Sequence, residues 1–277
     1  MKLFYVLLIL LLANCSFDNK TGIWINEDVL SKDNDDFKDF ESLDIEKENF
    51  KEVINTDKNF KFEEFVSLSN YNWVDINYDE SNNLKNFSYS ENFNSVFKSK
   101  KIIKNTISKN LLYKNDNLII NDEKGNIIIF SINENRVIRK YNFYQKKYKK
   151  IKKFLNLIVE DNFVYISDNL GYLYAYNIKE SKIVWAKKYQ VAFRSNIKIF
   201  KDKIIASNQD NILFFFNKKN GDLLTKIPTE ETIVKNTFKN NLSLNNNVTF
   251  FLNTFGSLYA IDNENMRLNW FVNLNQS

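Results

Sequence analysis

Four segments in the C-terminal part of the chain repeat one pattern, and this self-similarity constrains the fold more than any other feature. Each copy has an apolar run, a polar turn and a second apolar run; the turns carry Gly125, Gly171, Asn211 and Gly256. These turn residues lie 46, 40 and 45 positions apart. Gly, and Asn as second choice, adopts the positive φ that a tight chain reversal requires. Each copy therefore predicts a hairpin of two short strands.

Further strands flank each hairpin. A second polar turn follows each second apolar run, at residues 133–135, 179–181, 218–221 and 264–266, and leads into another apolar stretch. Apolar residues also precede the hairpins, for example at 156–159 and 196–200. Units of about 40–45 residues with four strands are typical of β-propeller blades. We therefore predict an all-β fold, with an incomplete β-propeller over residues 66–277 that has about four blades.

Aromatic residues recur at fixed places in the repeat. Trp185 and Trp270 stand at the same distance from Gly171 and Gly256, and aromatic strings occupy residues 172–176 and 213–216. A large flat ring on the third strand of a blade can cover the gap to its neighbour. We predict that both tryptophans pack between blades and that the two strings belong to the core instead of a ligand site.

The N-terminus has the pattern of an export signal. Lys2 precedes an uncharged apolar run over residues 3–12, and small or polar residues lead to Cys15, the single cysteine. The run is shorter than the ~20 residues needed to span a bilayer, and its layout is that of a secretory signal peptide. Residues 12–15 look like a bacterial lipobox, which predicts a lipoprotein signal peptide over residues 1–15 with lipidation at Cys15. An ordinary signal peptide with an incidental cysteine is the alternative.

The predicted anchor suggests a location. In bacterial lipoprotein sorting, an Asp directly after the lipidated cysteine commonly retains the protein at the inner membrane, and Ser16 stands there in this chain. We therefore expect a lipid-anchored protein on the periplasmic face of the outer membrane of a Gram-negative bacterium.

Charge divides the rest of the chain. Residues 16–65 hold 15 acidic and 7 basic side chains, whereas residues 66–277 hold 19 acidic and 31 basic ones. The acidic part predicts a flexible tether over residues 16–65. Within it, residues 32–64 have apolar spacing compatible with a transient helix or with an arm that docks on binding.

Composition excludes several kinds of site. The chain has no His and one Cys, so Cys/His metal sites, a Ser-His-Asp triad and a disulfide within the mature chain are ruled out. We expect no catalytic residues, no metal and no cofactor.

Residues 164–185 and 247–270 resemble the PQQ-type propeller repeat. Together with the lipobox, the repeat most resembles the BamB family of lipoproteins, and residues 71–73 resemble the strand that leads into the propeller. The resemblance implies a non-catalytic scaffold with an eight-bladed ring. It implies binding to BamA and the barrel assembly complex through loops on one face, to help fold and insert outer-membrane protein precursors.

The resemblance also points to contact residues. In BamB proteins an Arg-containing loop between two blades contacts BamA, and residues 190–196 occupy the matching place. The resemblance therefore implies Phe193 as an apolar anchor and Arg194 as a charged anchor, because an Arg beside an exposed aromatic ring is a common interface hot spot. The alternative that Arg194 pairs with a neighbouring blade stays open. An acidic family contact in the following loop falls near Glu230 and Glu231, and we assign no residue to it.

Blade number departs from the family pattern, because four repeats are visible where the family has eight blades. We expect an N-terminal fragment of a longer chain that forms an open arc.

Two rival functions remain. A PQQ-dependent periplasmic dehydrogenase would use calcium ligands, a catalytic Asp and commonly a disulfide between adjacent cysteines, which one cysteine cannot form. A propeller glycosidase, the other enzyme considered, would need two facing carboxylates.

The second rival is a surface-binding module. Residues 139–153 carry eight cations in fifteen positions with aromatics between them, and could bind anionic lipid or an acidic partner. A solvated connection between blades is the simpler interpretation of this stretch. We expect no nucleic acid as partner.

Overall fold

The computed structural model describes residues 16–17, 24–25, 72–84, 86, 97–230 and 238–275. Contacts divide the chain into two compact units, Met1–Glu63 and Glu64–Ser277. In the first unit, strand β1 (Ser16–Phe17) pairs antiparallel with β2 (Trp24–Ile25). The acidic stretch predicted to be a tether, including the helix-compatible residues 32–64, otherwise lies outside the described residues.

The second unit contains four four-stranded antiparallel sheets, named 1 to 4 in chain order. Sheet 1 contains β3 (Ile107–Lys114), β4 (Asn117–Asp122), β5 (Asn126–Ser131) and β6 (Arg136–Asn142). Sheet 2 contains β7 (Leu155–Glu160), β8 (Phe163–Asp168), β9 (Tyr172–Asn177) and β10 (Lys182–Lys188). Sheet 3 contains β11 (Lys198–Phe200), β12 (Lys203–Ser207), β13 (Leu213–Asn217) and β14 (Leu223–Ile227). Sheet 4 contains β15 (Asn241–Asn245), β16 (Val248–Leu252), β17 (Ser257–Asp262) and β18 (Arg267–Asn273).

Helical structure is scarce. A single 3₁₀ turn, Lys146–Tyr148, connects sheets 1 and 2, and the described residues contain no α-helix. Within the described ranges, no helical segment has the length and apolarity needed to cross a bilayer.

The sequence pattern of each strand follows its place in the sheet. Third strands are buried over most of their length, and β5 over all of it, which explains their unbroken apolar runs. Fourth strands contain only exposed and half-buried residues, and in β10 the two alternate because one face of the strand is directed outward. A β-bulge interrupts the pairing of the third and fourth strands in every sheet, for example between Ile183 and Trp185. The extra residue bends the outer strand and increases its twist.

One Asp or Asn begins each turn between the second and third strands: Asp122, Asp168, Asn208 and Asn253. Its Oδ1 accepts hydrogen bonds from the backbone N–H groups two and four residues later, at 2.8–3.0 Å. The residue three positions later has φ between +59° and +83°, as predicted for Gly125, Gly171, Asn211 and Gly256. The repeat in the sequence is therefore a repeated Asx-capped turn.

The sheets pack face to face in chain order. One core cluster joins sheets 1 and 2, a second joins sheets 2 and 3, and a third joins sheets 3 and 4. The aromatic strings lie in these clusters, as predicted; Tyr174 and Tyr176 of β9 stack on Phe143 and Tyr141 at 4.5 and 4.9 Å between ring centroids. Within the described ranges, sheets 1 and 4 each have a neighbouring sheet on one side only. The predicted fold, an open and incomplete β-propeller, is confirmed.

Outer strands reach across to the turn of the next sheet. Trp185 of β10 covers Gly221 and donates its indole N–H to the carbonyl of Lys218 at 3.1 Å, so its predicted packing between blades is confirmed. Trp270 holds the same register in β18, opposite Ala260 where Trp185 lies opposite Ala175. Its ring approaches Phe250 of its own sheet, and Trp270 remains 49 % exposed. The predicted contact of Trp270 between blades is therefore wrong for the described residues, since no further sheet covers it there.

Residues 72–84, which we call the axial segment, cross the first strands of all four sheets. Trp73 exchanges two backbone hydrogen bonds with Tyr113 of β3, at 2.7 and 2.8 Å. Val159 of β7 donates its N–H to the carbonyl of Val74 at 2.9 Å. The predicted strand leading into the propeller is thus a bridge that lies against sheets 1 and 2.

The same segment continues to sheet 4. Leu244 of β15 donates its N–H to the carbonyl of Glu80 at 2.8 Å, and the Asn82 amide donates to the carbonyl of Leu242 at 2.7 Å. The first strands β3, β7, β11 and β15 therefore converge on one segment, as the inner strands of propeller blades do around an axis.

Sheet 3 holds the axial segment through a buried ion pair. The ammonium of Lys198 in β11 donates to Asp75 Oδ2 at 2.9 Å, to the carbonyl of Asp79 at 2.8 Å and to Asn82 Oδ1 at 2.6 Å. Lys198 and Asp75 are fully buried. Burial raises the pKa of Asp75 and lowers the pKa of Lys198, and each partner's charge opposes the other's shift. All three N–H donors of the ammonium are used, as burial of a charge requires.

We expect Lys198→Met to destabilise the full-length chain by about 3–5 kcal/mol, because it leaves the Asp75 carboxylate buried without its counter-charge. The double variant Asp75→Asn/Lys198→Met removes both charges and should lose less stability than the single variant. Urea unfolding followed by circular dichroism measures both free energies. A Lys198→Met variant as stable as the parent would show that the pair does not fasten the axial segment.

The two tryptophans give a matched comparison. We expect Trp185→Ala to cost about 2–3 kcal/mol, since it removes a half-buried ring and an inter-sheet hydrogen bond. Trp270→Ala should cost about 1 kcal/mol or less, because the ring is largely exposed. Urea unfolding followed by circular dichroism compares them without depending on tryptophan fluorescence. Equal losses would contradict the distinct environments.

Candidate partner-binding face

The connections between sheets all lie at one end of the arc, which we call the connection face. Because each sheet is a four-stranded meander, its Asx-capped turn lies at the same end as the chain that leads to the next sheet. Backbone hydrogen bonds join the two: Phe193 N–H donates to the carbonyl of Asp168, and Gln209 N–H donates to that of Ala192. The opposite end carries the two remaining turns of each sheet, and we call it the turn face.

The loop between sheets 2 and 3, residues 189–197, contains the predicted contact residues and is held at several points. The Tyr189 hydroxyl donates to the carbonyl of Gly221, and the Ser207 N–H donates to Ser195 Oγ at 2.7 Å. Asn196 exchanges hydrogen bonds with both backbone groups of Leu242, at 2.7 and 2.8 Å. The loop is thus bound to sheets 3 and 4 and presents a fixed shape.

Phe193 is not the exposed anchor that the resemblance implies. Its side chain is 2 % exposed and lies in the core cluster between sheets 2 and 3, with its ring 6.0 Å from that of Phe216. The backbone pairs like a strand at Phe193 with Asn208 and at Ser195 with Asn240. Successive side chains therefore point to opposite sides, so that Phe193 and Ser195 face inward. The expectation of an exposed Phe193 is wrong, and its aromatic ring stabilises the sheet contact.

Arg194 lies on the other side of the same short extended stretch and is half-buried. Its backbone N–H donates to the carbonyl of Ser207 at 3.0 Å, and its own carbonyl accepts from Asn240 N–H at 3.0 Å. These bonds join sheet 3 to the start of sheet 4 through the Arg194 backbone. The Arg194 backbone is consequently held at a fixed position on the connection face.

Glu230 belongs to the connection between sheets 3 and 4 and is tied to sheet 4. Its carboxylate accepts hydrogen bonds from Asn253 Nδ2 at 2.6 Å, Ser257 Oγ at 2.8 Å and the Tyr259 hydroxyl at 2.5 Å. Burial raises the pKa of Glu230, but these hydrogen bonds outweigh burial and leave the pKa below its usual value. Glu230 is therefore a structural acceptor, whereas Glu231 lies outside the described residues.

The basic stretch over residues 139–153 is divided between two environments. Arg139 lies in β6 and donates from Nε to Ser181 Oγ at 2.5 Å, so it joins sheets 1 and 2. Lys146, Lys147, Lys149 and Lys150 are exposed on the connection face. The stretch is thus partly an inter-sheet contact and partly a charged surface.

Other predicted features stay untested. Cys15 and the signal peptide lie outside the described residues. Among the residues that the structure describes, no group of three or more His, Cys, Asp or Glu side chains is arranged to hold a metal ion.

Sequence reasoning missed Asp75 and Lys198, the residues that hold the axial segment. Lys198 lies between Ile197 and Ile199, and this alternation is that of a strand residue facing solvent. Its acceptors lie 116–123 residues earlier in the chain, where no repeat marks them. The nearest signal was the resemblance of residues 71–73 to a strand leading into the propeller.

Comparison with known proteins assigns no family. No protein-family model and no curated protein sequence matches the chain. Among solved structures, BamB from Moraxella catarrhalis has a TM-score of 0.49 at 15 % identity, over 62 % of this chain and 51 % of that one. This chain thus spans about half the length of that BamB chain.

Two further structures have similar scores. The computationally designed Ika4 protein has a TM-score of 0.47 at 13 % identity, over 60 % of this chain and 99 % of that one. The WD40 domain of Toxoplasma gondii coronin has a TM-score of 0.46 at 10 % identity, over 58 % of this chain and 45 % of that one. The propeller assignment rests on the four sheets themselves, and BamB is not singled out.

We expect Phe193→Ala to destabilise the full-length chain by about 3–4 kcal/mol, because it leaves a cavity between sheets 2 and 3. Phe193→Leu should cost about 1–2 kcal/mol, since most of the volume is retained. Arg194→Ala should cost about 1 kcal/mol or less, because its backbone hydrogen bonds survive the substitution. Urea unfolding measures all three. An equally stable Phe193→Ala variant would contradict the core position.

Proposed function

We propose that the chain is a non-catalytic scaffold lipoprotein of the outer-membrane β-barrel assembly machinery. It binds BamA through the connection face and helps to fold and insert outer-membrane protein precursors. The proposal rests on the lipobox, on the PQQ-like repeat and on a propeller that presents its inter-sheet loops together at one end.

One observation carries the contact site. The Arg194 backbone is fixed on the connection face by hydrogen bonds to Ser207 of sheet 3 and to Asn240, the residue directly before sheet 4. Binding therefore orders little additional backbone, which lowers the entropy lost on association. Arg is also among the residues most enriched at interface hot spots. The apolar part of the contact comes from residues other than Phe193, which is buried.

The polar groups of the connection face support a scaffold over an enzyme. Asp122 and Asp168 each cap a turn, and Glu230 accepts three side-chain hydrogen bonds. Carboxylates that are occupied in this way hold loops in place and are poorly placed to accept a proton from a substrate. These three carboxylates thus act as structural acceptors.

Lipidation at Cys15 supplies the membrane attachment in this proposal. Cys15 would be the first mature residue, with the lipid attached to its thiol, and Ser16 after it favours sorting to the periplasmic face of the outer membrane. No cofactor, metal or nucleic acid has a part in the proposed function.

We expect BamA of the source bacterium to co-purify with the full-length lipoprotein from solubilised outer membranes. Arg194→Glu should reduce the recovered BamA about tenfold or more, as expected when a hot-spot residue is reversed in charge. The matched control is Arg267→Glu, an equal charge change at an exposed residue beside a turn on the turn face. Cys15→Ser tests the anchor in the same cells and should move the protein out of the membrane fraction.

Three results would count against the proposal. Absence of BamA from the purified wild-type protein would exclude the assembly-machinery assignment. Equal losses in the Arg194→Glu and Arg267→Glu variants would exclude the connection face as the contact. Membrane association that persists in Cys15→Ser would exclude the lipid anchor.

A further inference from the structure

A basic pocket of about 430 Å³ opens on the connection face beside the connection from sheet 1 to sheet 2. It is lined by Lys124, Asn126, Asn142, Tyr144, Gln145, Lys146, Lys149 and Lys153. Four of these eight residues are lysines, and none is acidic. A concave site lined by charges of one sign concentrates ions of the opposite sign.

Lys153 is the buried member of this group, at 2 % exposure. Its Nζ donates to the carbonyl of Tyr148 at 2.5 Å and lies 5.2 Å from the centre of the Tyr144 ring. Its backbone N–H donates to the carbonyl of Glu123 at 2.9 Å, which fixes the residue against the turn of sheet 1. In the described part of the chain, no carboxylate lies within 4.0 Å of Lys153 Nζ. An ammonium has three N–H donors, and the Tyr148 carbonyl accepts from one of them.

The nearest acids are already occupied by other donors. Asp122 accepts from Asn105 and Asn126 side chains at 2.8 and 2.7 Å, as well as from two backbone N–H groups of its turn. Asp168 accepts from the Tyr144 hydroxyl at 2.5 Å and from two backbone N–H groups of its own turn. Burial lowers the pKa of Lys153, and the charges of both acids oppose that shift. Neither Asp122 nor Asp168 forms an ion pair with Lys153.

Three further lysines stand at the pocket's opening. Lys146 begins the 3₁₀ turn and Lys149 follows its last residue; Lys149 N–H donates to the carbonyl of Lys146 at 3.0 Å and so fixes their backbone spacing. Lys124 comes from the turn between β4 and β5, is exposed, and lines the same pocket. Two separate chain segments thus supply cations to one concave surface.

We propose that this pocket binds a phosphate group, with Lys153 at its base and Lys124, Lys146 and Lys149 around its opening. Lysine ammonium groups bind phosphate as mobile point charges and donate strong charge-assisted hydrogen bonds. The phosphate comes either from the headgroup of an anionic phospholipid or from a free phosphate ion. The site is separate from Arg194 and does not depend on the proposed scaffold role.

Lysine footprinting tests this site on the full-length lipoprotein inserted in vesicles. Acetylation rates of individual lysines are measured by mass spectrometry in phosphatidylcholine vesicles with chloride, in the same vesicles with inorganic phosphate at equal ionic strength, and in equimolar phosphatidylcholine and phosphatidylglycerol. At saturation we expect the rates at Lys124, Lys146 and Lys149 to fall about tenfold, as for a ligand held by charge-assisted hydrogen bonds. Lys179 and Lys219, exposed on the turn face, are internal controls and should not change.

Two variants separate the pocket from general surface charge. Lys153→Met should abolish the protection at all three lysines while its circular dichroism spectrum stays native. Lys149→Gln, at an exposed position where folding is not at risk, should weaken the protection at Lys124 and Lys146 severalfold because one phosphate contact is lost.

Each outcome decides the proposal. Protection by inorganic phosphate identifies a general phosphate site, and protection by phosphatidylglycerol alone identifies a lipid headgroup site; both support it. No protection in either arm, equal protection of Lys179 and Lys219, or protection unchanged in Lys153→Met and Lys149→Gln would overturn it. The scaffold proposal is tested independently by BamA recovery.

Discussion

The buried ion pair between Lys198 and Asp75 is the contact on which the inner side of the arc depends. Removing two charges from water is costly, and the cost is offset only when every donor and acceptor is well placed. Here the ammonium also binds the Asp79 carbonyl and the Asn82 side chain. The pair therefore specifies one position of the axial segment, from which it reaches sheets 1, 2 and 4 through backbone hydrogen bonds. Four sheets that otherwise contact only their neighbours thus share one common element.

Face-to-face packing then determines what the sheets show on their outer side. The outer strands of sheets 1 and 2 carry side chains that reach the turn of the next sheet, as Arg139 does with Ser181 and Trp185 with Lys218. In sheet 4 the equivalent Trp270 lacks such a neighbour among the described residues and stays exposed. The same repeat unit therefore places a tryptophan in a half-buried contact between sheets in one case and at an open face in another, so that position in the arc decides its energetic contribution.

Most of the fold could be predicted from the sequence because the repeat is local. Each Asx-capped turn requires an Asp or Asn and, three positions later, a residue that tolerates positive φ, such as Gly125 or Gly171. Both residue types can be read from the sequence. The turns between the third and fourth strands lie where the sequence predicts them. The positive φ of Ser181 and Met266 in these turns could not be predicted, since neither residue type favours it. There the surrounding hydrogen bonds of the hairpin impose the conformation.

The candidate site was less predictable, for a physical reason. Whether Phe193 faces the core depends on its pairing with Asn208, which follows from the docking of a loop and leaves no mark in composition. The same applies to Lys153, which belongs to a run of solvated lysines in the sequence. Its burial arises because its backbone is bound to Glu123, in the turn of the preceding sheet. Long-range contacts of this kind decide whether a run of lysines forms a flat charged surface or a defined pocket.

The axial segment also has a consequence for the order of folding. Each sheet is built from neighbouring hairpins and can form from short-range contacts, whereas the hydrogen bonds of Asn82 and Ser81 span 160 and 162 residues. Closing such long loops costs entropy before the contacts compensate for it, which slows their formation. Residues 72–84 are synthesised before any of the sheets, yet their binding surface is complete only after β15 exists. Docking of this segment, which is synthesised first, is therefore expected to be a late folding step that fixes the four sheets relative to one another.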